Sequence, residues 1–165
     1  MTSPSPSPSP SASASPLAQK PLTAAGLERL RATLAAENAA LFAYGRLGVL
    51  LDAKGKEEAR AAEVAHRARR DAIVLALDEA KASPAPAEPG YVLPFPLTDA
   101  ASAQRLAAHV EEGVAANWRA VLRTVEGAQR KAALDAYSDA ALRSTRWRRL
   151  AGVTPVTTPF PGRVA

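Results

Sequence analysis

Cysteine is absent, isoleucine occurs once, and the 165 residues carry only eight aromatic side chains. The first absence excludes a disulfide framework, a thiolate metal site and a cysteine nucleophile. Eleven valines and one isoleucine stand against 39 alanines and 18 leucines, so strand formers are scarce and helix formers dominate. No apolar run approaches the roughly 18 residues needed to span a membrane, and no basic segment followed by an apolar stretch precedes Leu17. A cytoplasmic protein without a membrane partner is the expectation. Phosphate-binding glycine loops, a nucleophile elbow and a histidine with an orienting acid are missing as well, so no catalytic residue is nominated and the chain reads as a non-enzyme.

Proline is missing from two long blocks, Leu22 to Ser83 and Leu97 to Thr154, and crowds the gap between them at Pro84, Pro86, Pro89, Pro94 and Pro96. Each block exceeds one ordinary helix, and each has a glycine near its middle, Gly55 and Gly127. Two helical hairpins follow. The first helix is expected to open at the N-cap Thr23, to carry Leu27, Leu30, Leu34, Leu41, Tyr44 and Gly48 on one seam, and to end near Asp52 before a turn at Ala53-Lys54-Gly55-Lys56. The second runs from about Glu57 to Lys81. The third starts at Thr98 or Asp99 and stops at Gly127, with Val114, Trp118, Val121 and Val125 on its face. The fourth carries Ala133, Ala136, Ala140, Trp147 and Leu150 and stops at Gly152.

The linker from Ser83 to Thr98 is long enough to travel the length of the bundle, which makes the expected fold an all-α, ferritin-like four-helix bundle of two hairpins joined by one crossover. Tyr91, Val92, Leu93, Phe95 and Leu97 within it are apolar enough to help seal the core. Residues 1–20, where serine alternates with proline or alanine, are expected to be a disordered tail, with residues 21–165 forming the bundle domain.

Polar residues on core-facing positions are the informative ones, because a buried charge is costly unless paired or metal-bound. Glu37 lies between Leu34 and Leu41 on the first seam, and Glu111 lies between Ala107 and Val114 on the third helix. Reflecting these positions through the expected turns brings Arg70 opposite Glu37 and Arg143 opposite Glu111. Two core ion pairs, Glu37 with Arg70 and Glu111 with Arg143, are therefore expected, since a guanidinium satisfies a carboxylate bidentately and keeps its charge when desolvated. The rival arrangement is a degenerate iron or manganese site of a ferritin-like oxidase or peroxide-handling protein on Glu37, Glu63, His66 and Glu111, because Glu63 to His66 is a Glu-x-x-His run. On the expected register, however, His66 falls one helical turn short of Glu37's level. No cofactor is expected from the leading reading. Gly45 and Gly48 are read as points of close helix approach. His109 lacks a partner. The arginines at 67, 69 and 70 and at 146, 148 and 149 form two clusters; bases and acids are spread so that no dense stripe forms, which makes weak nucleic-acid binding through these faces the second alternative.

Several of these runs, in order, resemble a bacterial family of alanine-rich ferritin-like domains of unknown function: Leu34-Ala35-Ala36-Glu37 leading to Tyr44-Gly45, His66-Arg67-Ala68-Arg69-Arg70-Asp71, Leu93-Pro94-Phe95-Pro96, Glu111-Glu112-Gly113, Arg146-Trp147-Arg148 and Pro159-Phe160-Pro161-Gly162. The resemblance covers Leu27 to Gly162. It implies a ferritin-like bundle that forms a homodimer and brings no established activity. Asn38 departs from the histidine the family would place there, which argues further against metal.

Overall fold

A computed structural model describes residue 17 and residues 21–84 and 86–163. Apart from Leu17, the expected tail lies outside the described residues. The described residues form four long helices, α1 (Ala24–Leu47), α2 (Ala53–Glu79), α3 (Ala100–Val121) and α4 (Gly127–Leu150), with a 3-10 turn at Gly48–Leu50 between the first two. Among the described residues there is no strand. No described helix is long and apolar enough to cross a membrane.

Helix starts follow cap chemistry. Thr23 accepts from the Gly26 amide and opens α1 as expected. Asp99 and Ser102 form a reciprocal capping box at the head of α3, in agreement with the sequence reading. The first hairpin differs from expectation. Asp52 is itself an N-cap, accepting from the Gly55 amide, so α2 begins at Ala53 and the turn lies earlier, at Gly48–Leu51. Gly55 is inside the first turn of α2, where a Cβ would stand 3.0 Å from the Leu51 Cβ, so the preceding loop packs tightly against this glycine. In the second hairpin α3 stops at Val121, Gly127 is the first residue of α4, and Val125 is buried in the connection.

α1 packs against α2 and α3, and α3 against α4, while α2 and α4 are not closely packed. Two apolar clusters result. Leu30, Leu34, Ile73, Leu77, Val114, Trp118 and Val121 belong to one; Ala43, Leu47, Ala59, Ala62, Leu106 and Trp147 belong to the other. Burying one leucine side chain is worth about 2 kcal/mol, so each cluster drives the pairing of its helices. The crossover adds Leu93, Phe95 and Leu97 to the second cluster, and the Tyr91 ring meets Phe42 in a tilted contact with centroids 5.3 Å apart. Val92 is the exception within that segment, since it is 99% exposed and seals nothing.

Past α4, the chain returns along α3. Tyr137 donates to the Pro161 carbonyl at 3.1 Å, and Gly162 lies so close to α3 that a Cβ would come within 2.6 Å of the Ala116 amide nitrogen. With φ at 66° and 70°, Gly152 and Gly162 adopt the left-handed conformation that glycine tolerates best.

Candidate functional site

Between the two apolar clusters lies a polar layer. Glu37 of α1, His66 of α2 and Glu111 of α3 are all fully buried there. His66 Nδ1 stands 2.7 Å from Glu37 Oε2 and its Nε2 stands 3.2 Å from Glu111 Oε1, so the imidazole bridges two carboxylates on two other helices. Trp118 Nε1 donates to Glu37 Oε1 at 2.6 Å. The Tyr44 hydroxyl donates to Glu111 Oε1 at 2.7 Å, and Trp147 Nε1 donates to the Tyr44 oxygen at 2.9 Å. All four helices thus contribute: two acids, one base between them, and three aromatic donors that close the set. One atom is left over, Glu111 Oε2, which is buried without a hydrogen-bond partner.

The charge state follows from this geometry. Burial alone would push the His66 imidazole down, but hydrogen bonds to Glu111 and Glu37, and their charges, outweigh it and raise its pKa to about 9. His66 is therefore an imidazolium at neutral pH, donating from both nitrogens. Burial and the neighbouring Glu111 carboxylate hold the Tyr44 phenol well above its ordinary value, so it remains a protonated donor.

The expected pairs of Glu37 with Arg70 and Glu111 with Arg143 do not form. The reason for the first is the earlier turn: with α2 starting at Ala53, the residue level with Glu37 is His66, one helical turn before Arg70. Arg70 instead turns outward to Asp71, at 2.7 Å. Arg143 donates through Nε to Asp139 at 2.9 Å, and Arg69 of α2 reaches the same carboxylate, so Asp139 ties α2 to α4. Burial would lower the Arg143 pKa, yet Asp139 raises it, and the charge of Glu111 acts on it in the same sense without a direct bond. Burial likewise opposes ionisation of Asp139, and the two arginines overcome it to hold the carboxyl below its usual range. Glu112, beside Glu111, faces α4 and binds Arg148 at 2.6 Å.

Of the rival metal set, Glu37, His66 and Glu111 come together and Glu63 does not, because it forms a half-exposed i,i+4 pair with Arg67 at 2.6 Å. Among the described residues no group of three or more histidine and acidic side chains is arranged to hold a metal ion. The residues missed by sequence reasoning are Tyr44, Trp118 and Trp147, which pattern alone assigns to apolar faces. A signal was available: a buried indole N–H or phenol requires an acceptor, and Glu37 and Glu111 are the acceptors at hand.

Gly45 and Gly48 are not points of close approach, since a Cβ at either would meet nothing within 4 Å. His109 is exposed on α3. The arginine clusters are largely engaged: Arg67 with Glu63, Arg69 with Asp139, Arg70 with Asp71, and Arg148 with Glu112 and the Pro155 carbonyl.

A helical bundle with a long crossover and a sealed carboxylate–imidazolium layer at its centre is the class of protein this fold and site define. The chain belongs to the family described as a domain of unknown function, DUF4439, whose model matches residues 29–165. It is similar to the crystal structure of a conserved hypothetical protein from Mycobacterium tuberculosis, with 35% identity, 83% of this chain and 97% of that chain covered, and a TM-score of 0.74. No functionally curated protein matches it.

Proposed function

We propose that this domain is a ferritin-like bundle without a working dimetal centre, acting as a structural or partner-binding module and forming a homodimer. One observation carries the reading: the His66 ring lies between the Glu37 and Glu111 carboxylates, in the space where a cation would have to sit. A dimetal bundle of this connectivity draws carboxylates and imidazoles from all four helices toward a common point, with each imidazole offering a free lone pair. Here both ring nitrogens face carboxylate oxygens, and α4 supplies an indole donor, Trp147, in place of a ligand. These residues do not fit a dimetal cluster, and no chemistry is routed through one. The imidazolium does the electrostatic work of a cation, screening two buried carboxylates from each other.

The acids and the imidazolium of the centre are fully buried, which directs the proposed function to the surface. Val64 and Leu75 on α2 and Leu134 and Leu142 on α4 are exposed apolar side chains, 69%, 42%, 48% and 58% accessible, and supply contact area for a partner or a second copy. The test is metal content after incubation with ferrous or manganous ion, together with solution mass by light scattering. The expected result is no stoichiometric metal and twice the chain mass. Close to two ions per chain would overturn the reading of the centre; a single-chain mass at all concentrations would overturn the homodimer.

A further inference from the structure

We propose that the cleft between α2 and α4 is a docking slot for the chain's own N-terminal segment, anchored by Leu17, and that its occupancy shields Trp118 and the polar layer behind it from water. The loose pairing of α2 with α4 leaves a cleft of about 420 Å³, lined by Arg69, Ala72, Trp118, Ala132, Ala136 and Asp139, with Leu17 forming part of its wall. Leu17 precedes α1, is 3% exposed and belongs to the same apolar cluster as Trp118, Ala133 and Ala136. Its carbonyl is fixed too, accepting from Gln129 Nε2 at 2.8 Å in a buried bond. A leucine side chain in an apolar slot and a main-chain carbonyl on a buried amide are the two elements by which a groove holds an extended segment.

The position of the slot gives the contact a consequence. Trp118 lines the cleft, while its indole N–H reaches inward to Glu37, so this side chain runs from the slot to the carboxylate–imidazolium layer. Seating Leu17 buries apolar area on the outer side of that wall. Withdrawing it wets the Trp118 ring and weakens the seal on Glu37.

The experiment uses the full chain and reads hydrogen exchange of the two indole N–H groups by NMR, with Trp147 as internal reference because it lies in the other apolar cluster. Nuclear Overhauser contacts between Leu17 methyls and the Trp118 ring are recorded on uniformly labelled protein and on a mixture of labelled and unlabelled chains. The expected result is contacts within one chain, with Leu17→Asp accelerating Trp118 exchange by about tenfold or more and leaving Trp147 unchanged. Gln129→Ala, which keeps the leucine and removes the donor to its carbonyl, should give a smaller change in the same direction. Contacts seen only between chains would overturn the proposal in favour of an exchanged segment. Absent contacts, an unchanged Trp118 in the Leu17→Asp variant, or equal acceleration of both indoles would overturn it as well.

Discussion

Raising the pH should destabilise this protein across a window that begins near neutrality. An imidazole held at about 9 in the fold, against about 6.5 in an unfolded chain, is protonated in both states below about pH 6. Its stabilising contribution is whole there. As pH rises through 6.5, the unfolded chain releases the proton while the folded protein keeps it, and stability falls until the folded group also titrates near 9. One pH unit is worth about 1.4 kcal/mol, so the window accounts for about 3 kcal/mol. That is a sizeable part of the total for a single domain. The assay is urea unfolding followed by far-ultraviolet circular dichroism at half-unit steps from pH 6 to pH 10. With a urea slope of about 1 to 3 kcal/mol per molar, the midpoint should move down by roughly 1 to 3 M. A flat profile from pH 6.5 to 9, or a fall confined to higher pH, would refute the argument that His66 is charged because two buried carboxylates hold its proton.

Other perturbations of the layer separate its members. His66→Gln leaves Glu37 and Glu111 facing each other without a cation, and should cost about 3 to 5 kcal/mol in the same urea assay at pH 7. Tyr44→Phe removes a donor from Glu111 and the acceptor of Trp147, so a loss of about 1 to 3 kcal/mol is expected, with a change in Trp147 fluorescence. Gly45→Ala lies in α1 with nothing within 4 Å of the new methyl and should raise stability by about 0.5 to 1 kcal/mol. A destabilised Gly45→Ala protein would mean that the glycine serves a contact with another molecule.

Much of the fold was legible because its signals are local or periodic. The proline-free blocks marked the hairpins, the Thr23 and Asp99 caps marked two helix starts, and the long proline-rich gap marked the crossover. The burial of Glu37 and Glu111 was legible too, since each interrupts a seam of apolar residues. Their partners were not, because partners depend on register across a turn. Gly55 looked like the turn residue, whereas Asp52, four residues after Gly48, is the true start signal for α2. Moving the centre of the turn back by about two residues shifts the opposite position by one helical turn, replacing Arg70 by His66 opposite Glu37, and so changes an arginine pair into an imidazolium bridge. Glu111 shows a second difficulty. Its contacts come from α1 and α2 rather than from α4, its neighbour in the hairpin, and such long-range pairing has no spacing rule in one sequence. Tyr44, Trp118 and Trp147 were legible as core residues but not as donors, because period alone reports burial and carries no information about hydrogen bonds.

The most direct test of the central claim is the protonation state of His66 itself, read from the ring nitrogen and carbon shifts of histidine-labelled protein between pH 6 and pH 10. The exposed His109 provides the comparison within the same spectra. Two protonated ring nitrogens on His66 at pH 7.5, with a midpoint near 9, are the predicted result. A neutral ring at pH 7.5, titrating at or below the ordinary histidine value near 6.5, would contradict an imidazolium bridge at the centre of this bundle.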